Sequence, residues 1–127
     1  MKKGYDKYGF RFRQWDIYQD ARKFRTEIIS LLRDFPPEEK FNLVDQTKRA
    51  LNSIILNIAE GSNKYTDKET KLYISRSATS LDEVVACLDC ALDNGYITQS
   101  QHQKALQKAS SLAKRLKAFA TKLSNPH

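Results

Sequence analysis

Three groups of residues in this sequence have types that can do chemistry. Lys104, Lys108, Lys114, Arg115, Lys117 and Lys122 crowd the last quarter of the chain. Lys108, Arg115 and Lys122 recur every seven residues, beside an apolar seam. No acidic residue follows Asp93, so nothing on the same segment neutralises them. At the other end Lys2, Lys3, Lys7, Arg11 and Arg13 alternate with Tyr5, Tyr8, Phe10, Phe12 and Trp15. Cations bind phosphates, and aromatic faces stack on unpaired bases, so both ends suit nucleic-acid binding. Flanking charges in helical bundles also solvate a surface or pair with acids, so these positions count only if they form a face.

The third group is Gln46, Arg49, Ser53, Asn57 and Glu60. A hydroxyl, an amide, a guanidinium and a carboxylate could pass for catalytic machinery, but general-base chemistry would want a nearby histidine. The two histidines, His102 and His127, are far off, and no glycine-rich phosphate loop is present. Steps of three and four place the five on one helical strip, with Arg49 able to meet Ser53 and Ser53 able to meet Asn57. Such a strip fixes packing register, as polar seam residues do in coiled coils. Cys87-x-x-Cys90 has the spacing of half a zinc site or of a redox pair. A structural zinc needs four ligands, and redox pairs open a helix rather than sit inside one. Ferritin-like metal sites need Glu-x-x-His pairs, which this chain lacks. The expectation is a protein with no metal, no cofactor and no enzymatic activity.

Elements able to position these residues follow from hydrophobic period. The spacing predicts a helix from about Arg13 to Arg33, with Ile17, Ala21, Phe24, Ile28 and Leu31 inward, stopped by Asp34-Phe35-Pro36-Pro37. A second runs from about Asn42 to Glu60, with Leu43, Thr47, Ala50, Ile54 and Ile58 inward and Gly61 as its stop. A third opens with the capping box Thr66-Asp67-Lys68-Glu69 and runs through Ile74, Ser77, Leu81, Val84, Leu88 and Leu92 to Asn94-Gly95. A fourth opens at Thr98, with Gln101 completing a second box, and carries the seam Ala105, Ala109, Leu112, Leu116, Phe119 and Leu123. Ile55, Leu56 and Ala59 on the second helix, and Leu72, Thr79, Ala86 and Cys90 on the third, fall outside these stripes. They form second surfaces able to meet another copy of the chain.

At 127 residues the chain makes one domain. The expected fold is all-α: an antiparallel up-down-up-down four-helix bundle over residues 13–124, with an arm at 1–12 and a tail at 125–127. No apolar run is long enough to span a membrane. Two cysteines and an N-terminus without an apolar stretch point to the cytoplasm. The net charge of +7 is uneven: both ends are basic and the middle, residues 34–93, is acidic. If the ends pack together, they make a positive face.

Val44-Asp45-Gln46-Thr47-Lys48-Arg49-Ala50, then Ser53-Ile54 and Asn57-Ile58-Ala59-Glu60-Gly61, resemble the four-helix-bundle family also called 23S ribosomal RNA intervening-sequence proteins. Phe35-Pro36, Ser80-Leu81-Asp82-Glu83 and Leu92-Asp93-Asn94-Gly95-Tyr96-Ile97 extend the likeness, which covers about Phe12 to Leu123. Ile55 stands where members often have proline, which leaves the second helix straighter, and Thr79 stands where they often have glycine. The resemblance gives Gln46, Arg49, Ser53, Asn57, Glu60 and Gly61 a structural role. It implies a homopentamer and no enzymatic activity. It also points to related accessory factors of diversity-generating retroelements, which bind nucleic acid and a reverse transcriptase. The expected function is an oligomer that binds RNA or DNA by its backbone, with Arg11, Arg13 and the six cations of the fourth helix as contacts. The alternative is a scaffold that docks an acidic protein partner such as a reverse transcriptase.

Overall fold

The computed structural model describes residues 4–123. Lys2 and Lys3 of the arm, the predicted break at Asn125-Pro126, and His127 lie outside the described residues. Within them, regular structure consists of four α-helices and two short 3-10 turns, with no strand. The helices are α1 (Asp16–Leu32), α2 (Leu43–Gly61), α3 (Asp67–Asp93) and α4 (Gln99–Leu123). Each neighbours two others, in the ring order α1, α2, α3, α4. That is the arrangement of a four-helix bundle. None of the helices is long and apolar enough to cross a membrane.

Helix ends follow local chemistry. The Glu69 N–H donates to Thr66 Oγ1 at 3.1 Å, and the Thr66 hydroxyl donates to Glu69 Oε1 at 3.0 Å. The box at α4 is reciprocal through the backbone: Gln101 N–H to Thr98 Oγ1 at 3.1 Å, and Thr98 N–H to Gln101 Oε1 at 2.9 Å. α3 ends in a Schellman turn, with Tyr96 N–H on Ala91 O and Gly95 N–H on Leu92 O. Gly95 sits at φ +74, a conformation other residues adopt only with strain.

Two predicted ends move. α1 starts at Asp16 rather than Arg13, because Arg11–Gln14 forms a 3-10 turn and Trp15 is extended. Gly61 is the last residue of α2 rather than a stop beyond it. Its own need is for space: a Cβ there would stand 2.8 Å from Tyr73 Cβ on α3. Asn42 makes no side-chain cap. Glu39 replaces it, with Oε1 accepting from Asn42 Nδ2 and Leu43 N–H while Oε2 accepts from the Tyr96 hydroxyl at 2.7 Å.

The core follows the predicted stripes with a drift. Ile17, Ala21, Phe24 and Ile28 are buried, but the next inward residue is Leu32, and Leu31 is only half-buried. On α3, Cys87 and Ala91 are buried while Leu92 is half-buried. Stripes written in steps of three and four slide around a helix of 3.6 residues per turn. Phe119 and Leu123 are half-buried near the end of α4, where Phe119 packs on Trp15 at a ring separation of 4.6 Å.

α2 and α3 make the most extensive pairing, and hydroxyls stitch it. Ser77 Oγ donates to Ile54 O at 2.8 Å, and Thr70 Oγ1 donates to Gly61 O at 2.9 Å. Ser53 and Ser80 hydroxyls meet at 2.8 Å. Thr47, Thr70 and Ser77 are the buried polar residues among those described, and each hydroxyl has a partner, as burial of a polar group requires.

Candidate nucleic-acid interface

The α4 cations divide into two sets. Lys108 is ion-paired with Glu27 and Arg115 with Asp20, both acids on α1. α4 carries no acid of its own, yet its stripe is partly neutralised, because the ring order sets α1 beside it. Arg13 likewise pairs with Asp6 at 3.0 Å. Lys104, Lys114, Lys117 and Lys122 are exposed and have no acidic partner among the described residues. At about 100° per residue, Lys104 and Lys122 share the flank of Lys108 and Arg115, while Lys114 and Lys117 turn away from it.

The arm is folded by Asp6. Its carboxylate accepts the Phe10 N–H at 2.8 Å and the Tyr8 N–H at 3.0 Å. These bonds, the Phe10 one foremost, hold its pKa below the usual carboxylate range. Much of the predicted aromatic–cation alternation is used internally. Phe12 meets Tyr18 edge-on at 4.8 Å, Arg11 lies 5.2 Å from the Trp15 ring, and Lys7 and Arg13 both lie over Tyr8. Tyr5, Tyr8 and Phe10 stay exposed. So do Phe41 and Tyr65, two loop aromatics the sequence reading did not single out.

The polar strip on α2 is assembled differently from its prediction. Asn57 Nδ2 donates to Ser53 O at 2.8 Å and to Ser53 Oγ at 3.0 Å, and Ser53 reaches Ser80. Arg49 does not meet Ser53; it turns outward to Asp45 at 3.0 Å. Gln46 and Glu60 are exposed, so only Ser53 and Asn57 form the half-buried seam. Cys87 is buried, and Cys90, three residues on along α3, is exposed. Burial, the leading effect, pushes the Cys87 thiol pKa up, away from a reactive thiolate. Among the described residues no three His, Cys, Asp or Glu side chains cluster in a way that could hold a metal.

The predicted second surfaces also divide. Leu56, Leu72, Thr79 and Ala86 are exposed. Ile55 and Ala59 are half-buried within the chain. Ala59 lines a hollow under the arm with Phe10, Arg11 and Phe12. The Nε of Arg11 is buried without a hydrogen-bond partner among the described residues.

A groove between α1 and α2, of about 710 Å³, was missed altogether. Tyr18, Arg22, Arg25, Asn52, Ile55 and Leu56 are among its walls, and no acid lines it. Arg22 Nη1 donates to Gln19 Oε1 at 3.1 Å, and Arg25 Nε donates to Asn52 Oδ1 at 2.8 Å. Both guanidinium groups are held by neutral amides, so both charges stay uncompensated. The legible signal was the three-residue step from Arg22 to Arg25 on a helix already assigned. The other wall could not be found without knowing which face of α2 lies alongside.

Residues 13–118 match the family model described as 23S rRNA-intervening sequence protein. Among solved structures the chain is similar to a protein of unknown function from the S23 ribosomal protein family of Bacteroides thetaiotaomicron VPI-5482. The TM-score is 0.74 and the identity 20%, over 82% of this chain and 97% of that one. At such identity the likeness concerns the fold alone. No curated protein matches.

Proposed function

The chain belongs to the 23S rRNA-intervening sequence protein family, and from that premise we propose a non-enzymatic, oligomeric nucleic-acid-binding protein that contacts phosphate backbone with little sequence preference. The observation that carries this reading is the charge of α4. The helix has six cations and no acid, and four of them, Lys104, Lys114, Lys117 and Lys122, remain exposed without an acidic partner among the described residues. A protein of net charge +7 with cations on a rigid rod suits phosphate attraction that is electrostatic and insensitive to base identity.

The proposal includes assembly. The subunit is an antiparallel up-down-up-down bundle, and copies associate through the exposed α3 stripe of Leu72, Thr79 and Ala86 as a cytoplasmic homo-oligomer, a pentamer by family resemblance. The bare Leu72 side chain and the small residues beside it support this reading.

Two measurements test it. Labelled RNA and DNA of several sequences should bind with similar affinity at low ionic strength, and log affinity should fall linearly with log salt. Absence of binding at low salt to every RNA and DNA tried refutes the function. Light scattering should return several times the 14.7 kDa chain mass, and a monomer refutes the assembly.

A further inference from the structure

The groove between α1 and α2 differs from the other charged surfaces in one respect. Where α1 faces α4, the cations Lys108 and Arg115 find acids. Where α1 faces α2, neither Arg22 nor Arg25 finds an acid: Arg22 bonds the Gln19 amide oxygen and lies 5.8 Å from the centre of the Tyr18 ring, and Arg25 bonds the Asn52 amide oxygen. An amide oxygen orients a guanidinium without cancelling its charge. Gln19 is itself tied down, its Nε2 donating to Arg13 O at 2.8 Å. The bond from Arg25 Nε to Asn52 leaves both terminal nitrogens of that fork for another acceptor. Planar forks held in advance suit phosphate oxygens, which they can bind two at a time.

The rest of the groove fits the remainder of a nucleotide. Leu56 is 56% exposed on the α2 side, with half-buried Ile55 and Tyr18 near it. A duplex offers a surface phosphate and sugar but keeps its base faces stacked. An unpaired strand offers base faces as well, and these can cover an apolar side chain. Lys48, one turn before Asn52 on α2, extends the positive edge.

We propose that the α1–α2 groove binds an unpaired nucleic-acid strand, with phosphates on Arg22 and Arg25 and a base or ribose against Leu56. This rests on the nucleic-acid-binding reading and places its main contact on α1 and α2 rather than on α4. It also assigns Leu56 to a ligand rather than to the contact between copies.

The test compares two double variants that remove the same charge, Arg22→Gln with Arg25→Gln, and Lys114→Gln with Lys117→Gln. The probe is a labelled single-stranded RNA of mixed sequence at about 0.1 M salt, and melting curves check that each variant folds. The groove pair should weaken binding about tenfold or more and lower the salt slope by about 1.4, two contacts at roughly 0.7 each. The α4 pair should weaken it by less than about threefold. Equal losses from the two pairs overturn the groove, because total charge alone then governs binding. Wild-type protein that binds nothing overturns the parent reading, and that is visible before any variant is made. Equal loss on duplex and single-stranded RNA removes the unpaired-strand assignment. Leu56→Ser should weaken single-strand binding and leave the particle mass unchanged. A fall in mass assigns Leu56 to an interface and overturns its place in the groove.

Discussion

A Cβ built on Gly61 would stand 2.8 Å from Tyr73 Cβ and 3.4 Å from the Thr70 carbonyl oxygen. Neither atom is the loose end of a side chain, so α2 and α3 would have to part. Gly61→Ala should cost roughly 1–2 kcal/mol net: a clash with atoms that cannot swing away takes the upper part of the overpacking range, about 2–3, and better helix propensity returns about 1. Urea denaturation reads this as a lower midpoint, and an unchanged midpoint means the helices are not held at this distance. A second residue-scale test concerns Glu39 and Tyr96. The Tyr96 hydroxyl donates to Glu39 and is the leading reason the Glu39 pKa lies below its ordinary value. The same bond leads the causes that raise the Tyr96 pKa. A depressed carboxylate contributes stability above its ordinary pKa and loses it as pH falls through the folded value. A raised phenol contributes below its ordinary pKa and loses it as pH rises through the folded value. The bond is therefore intact between the two ranges. In an NMR titration, Tyr96→Phe should move the Glu39 midpoint upward, and a midpoint that stays put would show that the Leu43 N–H and Asn42 bonds alone set it.

The helices themselves are held at their ends by short-range chemistry and along their lengths by partners. Thr98 and Gln101 satisfy one another's backbone N–H groups at the start of α4. Thr98→Ala should cost about 1 kcal/mol, and Thr98→Ser should recover most of it. Thermal melting distinguishes the two, and equal melting points for wild type and Thr98→Ala would mean that packing fixes the start of α4. The α2–α3 pairing depends on small hydroxyl residues, Ser53, Ser77 and Ser80, which allow close approach while satisfying their own polar atoms. Here the run from Ser53 to Gly61 has a physical meaning. Asn57 fixes Ser53, Ser53 reaches Ser80, and Gly61 lets Tyr73 in. Gln46, Arg49 and Glu60 lie on the same helix but stay on the exposed side.

The whole molecule distributes its excess positive charge by helix order. α1 presents acids toward α4 and uncompensated arginines toward α2. Asp20→Asn combined with Glu27→Gln would release Arg115 and Lys108 and add two positive charges to the net +7. Surface ion pairs contribute about 0–1 kcal/mol each, so stability should barely change. RNA affinity should rise several-fold at low salt and converge with wild type at high salt. Filter binding across a salt series checks this, and affinity unmoved at low salt would mean that α4 takes no part in binding.

Helix number, approximate helix limits and the core faces were determined by the sequence, because period, capping boxes and proline are local and act within a turn or two. Thr66, Thr98 and the run Asp34-Phe35-Pro36-Pro37 needed no tertiary information. The partner of each outward residue was decided only in the tertiary structure. Lys108 and Arg115 are more than 80 residues from Glu27 and Asp20, so α4 read alone looked bare of counter-charge. Arg49 chose Asp45 over Ser53, and Gly61 is required by Tyr73 rather than by a helix stop. The α1–α2 groove exists only where two faces meet. Electrostatic compensation and concavity are properties of neighbouring surfaces, and a linear pattern specifies each surface without saying which one lies against it.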